Sequence, residues 1–218
     1  MDIRRLHNIV DLTHKIDDTT PAYPGDPQPN SRHVYTVAKD GFAVDFWTLG
    51  THTGTHIDAA AHVLAGADAV PLSRYPLTHF EGVARVVEAA GECVSMQAVK
   101  KALQSRRKVD WLIVRSGWAK FWDRPDTYFK GKYPILDAGV VEYLAETGLK
   151  GIALDMPSPD RWETGDYLHQ KLLASGLLIV ENLAECEVLP VGKDLWFSVW
   201  PIKWSSADGA PVRAVVRY

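Results

Sequence analysis

"DAGVVEYLAETGLKGIALD", residues 137–155, reads as a helix followed at once by a strand. Asp137 caps the helix, Gly148 ends it, and "GIALD" (151–155) runs on as the strand. Upstream, "DWLIVRSG" (110–117) is a short buried strand, and before it "EGVARVVEA" (81–89) is another. "SMQAVKKALQSR" (95–106) lies between these two as a helix, with Ser95 as N-cap and Met96, Val99 and Leu103 at helical spacing. Downstream, "HQKLLASG" (169–176) is a helix ending at Gly176, and "LLIVEN" (177–182) is the strand that follows. Strand, helix, strand, helix, strand implies a parallel sheet.

The first half of the chain has a different rhythm. "NIVDLTH" (8–14) is a strand, and "PAYPGDPQPN" (21–30), with four prolines, is a stiff extended loop. "SRHVYTVA" (31–38) and "AVDFWTLGTH" (43–52) read as two strands flanking a turn at Lys39, Asp40 and Gly41. These strands are mostly antiparallel, so the prediction is an α/β domain with a mixed sheet. No repeat, low-complexity tract or linker divides the chain, and one domain is expected over residues 1–218.

Composition narrows the function. Of 218 residues 46% are hydrophobic and 23% charged, which suits a soluble globular protein. A net charge of -3 gives no electrostatic footprint for nucleic acid or an anionic membrane, so the expected partner is a small molecule. The two cysteines, Cys93 and Cys186, fit neither a zinc ribbon nor a disulfide scaffold, and a reducing cytoplasm is the expectation. The first residues lack the apolar core of a signal peptide, and no apolar run is long enough to span a bilayer.

One segment concentrates chemistry. "HTGTHIDAAAH" (52–62) places three histidines and an aspartate among small residues. On one continuous helix Asp58 would sit well round the cylinder from His52 and His56. In an extended chain the three share a face, but His52 and His56 are then about 13 Å apart. The chain is therefore expected to coil between them, with Gly54 as the place where it does so at low steric cost. From Asp58 onward "DAAAHVLAG" favours a short helix, which would set His62 one turn after Asp58 on the same side. Four such side chains in a dry core are hard to satisfy without a shared partner, and a metal ion is the partner that suits them. The other histidines, His7, His33 and His79, read as structural or solvated, and His14 as a partner for a neighbouring loop.

The stretch "LGTHTGTHIDAAAH" resembles the His-x-Gly-Thr-His-x-Asp-x-Pro-x-His signature of the cyclase family of metal-dependent hydrolases, which includes bacterial kynurenine formamidase and isatin hydrolase. "DLTHKI", "PAYPGD", "RSGWAKFW", "GIALDMPSPD", "HQKLL", "IVENL" and "PIKWSSADGAPVRAVV" resemble that family in the same order, over nearly the whole chain. The resemblance implies a swivelling β/β/α domain assembled as a homodimer or larger homo-oligomer. It implies metal ligation by His52, His56 and Asp58, with His169 and Glu181 completing a second site in relatives that have two. His169, read as opening a helix, and Glu181, at the end of a strand, both sit at element termini, where site residues are common. The resemblance also implies that His62 is the general acid and base.

The expected cofactor is one or two divalent ions per chain, zinc or manganese, since His and carboxylate ligands suit both. The expected reaction is hydrolysis of an amide-type C–N bond, in an arylformamide or a cyclic amide, by water that the metal activates. No Gly-x-Ser-x-Gly elbow, His-Glu-x-x-His motif, phosphate loop or dinucleotide fingerprint occurs. Two departures bear on the substrate. Ala60 stands at the motif's proline, and Tyr23 at the position of a substrate-stacking tryptophan in kynurenine formamidases. Phe46, Trp47, Trp118, Trp122 and Trp162 are further candidates for an aromatic pocket wall. Two alternatives remain at this stage: a hydrolase or lyase acting on a lactone or other cyclic substrate, and a metal-binding regulatory protein without turnover. His62 speaks against the second, because metal binding alone needs no spare base.

Overall fold

The computed structural model describes residues 8–163, 165 and 167–218; His7 lies outside them. In chain order the first half holds β1 (Ile9–Asp11), β2 (Asn30–Tyr35), α1 (Val37–Asp40), β3 (Val44–Thr48), β4 (His56–Asp58), β5 (Glu81–Glu88), β6 (Cys93–Val94) and α2 (Met96–Leu103). Then follow β7 (Trp111–Arg115), α3 (Pro125–Lys130), β8 (Ile135–Leu136), α4 (Ala138–Ala145), β9 (Gly151–Leu154), α5 (Tyr167–Ala174), β10 (Leu178–Glu181), β11 (Leu195–Pro201) and β12 (Gly209–Arg217).

The expected parallel sheet is present as β5, β7, β9 and β10, each pairing in parallel with the next. Their apolar runs fit this role, because a strand covered on both faces has no solvent side to keep polar. On β7 the alternation divides the core cleanly. Trp111 and Ile113 pack with Val86, Val180 and Phe197 inside the sheet, while Leu112 and Val114 pack with Val140, Leu144 and Leu172 of the covering helices. The sheet is mixed, because β11, β12 and β4 join it antiparallel. Since β4 pairs with both β12 and β10, the strands close into a barrel, and β1 adds to β12 from outside the ring.

Several local expectations hold. Asp137 caps α4, its side chain accepting from Val140 N at 2.8 Å, and Gly148 follows with φ 69°. Ser95 stands at the N-cap of α2, without a side-chain hydrogen bond there. Others are corrected. The turn between β2 and β3 is a short helix, α1, closed by Gly41 in the left-handed region. The helix expected from Asp58 does not form: His56–Asp58 is strand β4, and only a single 3-10 turn follows at Ala60–His62. Backbone pairing with β10 and β12 claims this segment on both sides and outweighs the helix preference of its alanines. Among the described residues no helix is long and apolar enough to cross a membrane.

Candidate metal centre

The barrel's alternation builds the site. On β4, Ile57 points into the enclosed core, so His56 and Asp58 point out of it. On β10, Val180 points in, and Glu181, which pairs in register with His56, points out beside it. α5 packs next to β10 and brings His169 to the same place, as the third residue of that helix rather than its first. His52 arrives from the preceding loop, which coils as expected around Gly54 at φ 66°. A fifth strand feature makes room for it: a Cβ at Gly209 would lie 2.7 Å from His52 Cε1.

Three imidazoles are each tethered through one ring nitrogen while the other faces a carboxylate at the centre. His56 Nδ1 donates to the Gly54 carbonyl at 2.9 Å, which leaves Nε2 3.3 Å from Asp58 Oδ1 and 3.4 Å from Glu181 Oε2. His169 Nδ1 lies 2.9 Å from Asp160 Oδ2, and its Nε2 stands 3.1 Å from Glu181 Oε1 and 3.9 Å from Asp58 Oδ2. His52 Nε2 lies 3.0 Å from Asp208 Oδ2, and its Nδ1 is 2.7 Å from Asp58 Oδ1. Such outer partners fix the ring and its tautomer, which is how protein sites present imidazole ligands.

The outer braces are themselves held. Asp160 also accepts from the Leu168 and His169 backbone N–H groups, capping the start of α5. Asn182, at φ 58°, donates from Nδ2 to the Gly54 carbonyl at 2.9 Å, and its own Oδ1 accepts from the Tyr128 hydroxyl at 2.9 Å.

Charge at the centre is crowded. Asp58 is fully buried, and His56, His169 and Glu181 are nearly so. Burial alone would lower the His52 pKa, yet the Asp58 and Asp208 carboxylates push it up to about 9. Burial opposes the same rise in His169, which Asp160 and Glu181 carry to about 10. His56 is likewise raised well above its ordinary value against burial, chiefly by Asp58 and then Glu181. Burial pushes Asp58 up, but His56 and His52 together hold it well below the usual carboxylate range. Asp208 is held low by its hydrogen bond with His52. The carboxylates thus ask for positive charge at this point, from protons or from a cation.

Two buried oxygens, Asp58 Oδ2 and Glu181 Oε1, accept no hydrogen bond. Unpaired buried carboxylate oxygens are costly, and here both face imidazole nitrogens too poorly aligned to donate. Ligating atoms of His52, His56 and Asp58 lie within 4.8 Å of one another, and so do those of Asp58, His169 and Glu181. The residues fit a divalent ion: oxygen and nitrogen donors, two anionic, with outer partners already in place.

Five of the expected site residues therefore meet at one centre, and two line the cavity beside it. The cavity, about 190 Å³, is bounded by His52, His56, His62, His169 and Glu181 on one side and by Pro21, Tyr23, Phe129 and Pro157 on the other. His62 stands with its ring 4.0 Å from that of His52, and its Nδ1 is 3.6 Å from Asp208 Oδ2, outside hydrogen-bond range. Tyr23 packs edge-on to Phe129 at 5.6 Å and against Trp162 at 5.3 Å. The other aromatic candidates do not wall the cavity. Trp122 stacks on His14 at 4.1 Å, Trp118 packs on Phe121 and Tyr133, and Phe46 and Trp47 are exposed on β3. His33 pairs with Asp45, and His79 lies outside the cavity lining, as expected of structural histidines. His14 meets a neighbouring loop through its backbone N–H, which donates to Thr55.

Sequence reading missed Asp160, Asn182 and Asp208. Asp208 lies in "SSADGAP", far along the chain from the motif, and no local periodicity marks it. The one available signal was its Asp-Gly pair, which reads as a turn and not as a site.

Comparison with known proteins agrees with this architecture. A family model described as "Putative cyclase" matches residues 10–161. An uncharacterized protein of Methanocaldococcus jannaschii is 29% identical over 209 residues, 95% of this chain and 97% of its own length. A kynurenine formamidase of Geobacillus thermodenitrificans is 29% identical over 211 residues, 95% of this chain and 96% of its own. A crystal structure of an isatin hydrolase bound to the product analogue thioisatinate superposes with a TM-score of 0.84 at 19% identity, covering 96% of this chain and 92% of that one, a likeness of fold. The chain belongs to the cyclase family.

Proposed function

We propose that this chain, as one domain over residues 1–218, is a metal-dependent hydrolase that cleaves an amide-type C–N bond in a small arylformamide or cyclic amide. The observation that carries the proposal is the buried convergence of His52, His56, Asp58, His169 and Glu181, with two carboxylate oxygens lacking hydrogen bonds, beside a small cavity. These five residues would hold one or two divalent ions, zinc or manganese. When bound, such an ion supplies a water acidic enough to ionise near neutral pH and polarises a substrate carbonyl.

The chain's own residues would do the rest. The tethers on His52, His56 and His169 hold the ligand set in place before substrate arrives, so little reorganisation is needed during reaction. His62 lines the cavity with no hydrogen bond to its ring among the described residues, which leaves it available to a ligand. Because Nδ1 faces Asp208, Nε2 is the nitrogen assigned to the substrate, where it would deliver a proton to the departing nitrogen. Tyr23 offers an aromatic face on the opposite wall, on a loop stiffened by Pro21, Pro24 and Pro27. Kinship with kynurenine formamidase and the fold shared with isatin hydrolase support an aryl-bearing substrate. The two free thiols, Cys93 and Cys186, support a reducing cytoplasmic setting.

The test is to strip the protein with chelator, reload it with zinc or manganese, and assay arylformamides, cyclic amides and lactones. Hydrolysis of an amide that requires reloading supports the proposal. Activity on lactones alone moves the assignment to the other bond class, and no turnover of any substrate by loaded protein overturns it.

A further inference from the structure

Between Tyr23 and His52, the two loops that line the cavity, the chain leaves the body as an arm. β2 and β3 pair only with each other, in a two-stranded sheet separate from the barrel. Apart from half-buried Ser31 and Thr36, every residue from 30 to 48 is exposed. Yet the arm carries Val34, Tyr35, Phe42, Val44, Phe46 and Trp47. Phe46 pairs with Arg32 and Trp47 with Ser31, so adjacent residues of β3 put aromatic rings on opposite faces. Neither face is covered by the chain's own body, and a two-stranded hairpin is marginal alone in water.

Surface area points the same way. A monomer of this mass exposes about 10,000 Å², whereas this chain exposes 11288 Å². The excess, about 1,300 Å², exceeds the roughly 800 Å² that each partner contributes to a standard interface. Charge narrows the occupant. Arg32, Lys39, Asp40 and Asp45 sum to zero on the arm. Locally they are engaged too: the Arg32 guanidinium lies 4.8 Å over the Phe46 ring, His33 pairs with Asp45 at 2.5 Å, and Asp40 accepts from Thr36 N. Such a surface has no field that would select an oppositely charged partner, and it meets an identical copy of itself without repulsion.

We propose that residues 30–48 form a dimerisation arm and that its occupant is a second copy of this chain, related by a two-fold axis. The proposal is independent of the catalytic assignment, because none of the arm's residues touches the metal centre.

Sedimentation velocity on the whole protein across a wide concentration range tests it. The wild type sediments as a dimer, and Phe46→Ser with Trp47→Ser weakens that dimer by about 100-fold or more, since two copies of each aromatic leave the interface. Metal content and far-ultraviolet circular dichroism of the variant stay as in the wild type. Amide hydrogen exchange on unaltered protein gives a second reading: residues 30–48 are protected at high concentration and exchange freely on dilution. A wild type monomeric throughout overturns the proposal. So does a dimer indifferent to the double substitution, or an arm that exchanges freely while the protein is dimeric.

Discussion

His52, His56 and His169 each spend one ring nitrogen on a brace and turn the other toward Asp58 and Glu181. That division of labour makes residue roles separable by mutation. Asp208→Ala removes the brace on His52 and should weaken metal affinity by about 10–100-fold, with Asp208→Asn partly restoring it; a metal titration of each variant checks this. His62→Ala should keep its metal and lose activity by about 100-fold or more, the scale of a positioned acid or base, whereas His56→Ala should lose both. Metal analysis beside kinetics separates the two, and loss of the ion from His62→Ala would make His62 a ligand. The motif residues were legible in sequence because they crowd into eleven positions. Asp160, Asn182 and Asp208 were not, because each is a single polar residue whose meaning depends on which strand or helix folds beside it.

At the scale of elements, the parallel half was readable from capped helices alternating with apolar strands. β11 and β12 were not anticipated, although they close the barrel, because the indole-rich "LWFSVWP" and the proline-bearing "GAPVRAVVR" carry weak strand signals by themselves. The helix expected at Asp58 failed for a related reason: its alanines prefer helix locally, but two strands elsewhere in the chain claim its backbone. Close approach of strands also constrains single residues. A Cβ at Gly151 would lie 2.4 Å from the Leu178 carbonyl oxygen and 2.6 Å from the Trp111 ring. Gly151→Ala should therefore destabilise the protein by about 1–3 kcal/mol through overpacking between β7, β9 and β10, as denaturant unfolding would register. The stiff loop at residues 21–30 is the element for substrate choice. Tyr23→Trp should shift preference toward larger aryl groups, and Tyr23→Ala should raise KM for aryl substrates with metal content unchanged.

For the whole molecule, the centre couples protons, metal and stability. Without metal, His52 and His169 titrate near 9 and 10 in the folded chain, above the 6.5 of free histidine. Their stabilising contribution is complete below about pH 6.5 and is lost as pH rises through 9 to 10. Asp58, depressed instead, contributes above its ordinary value of 3.8 and loses that contribution as pH falls below it. Thermal melts of chelator-treated protein should accordingly weaken from pH 6.5 upward, while the gain in Tm on adding metal grows over the same interval, because metal and protons compete for the same nitrogens. The most direct measurement is elemental analysis of untagged protein dialysed against metal-free buffer, beside the His56→Ala variant. One or two divalent ions per chain in the wild type, largely lost in His56→Ala, is the predicted result; a metal-free wild type that takes up no zinc or manganese, or a variant with unchanged content, would contradict a metal centre at His52, His56, Asp58, His169 and Glu181.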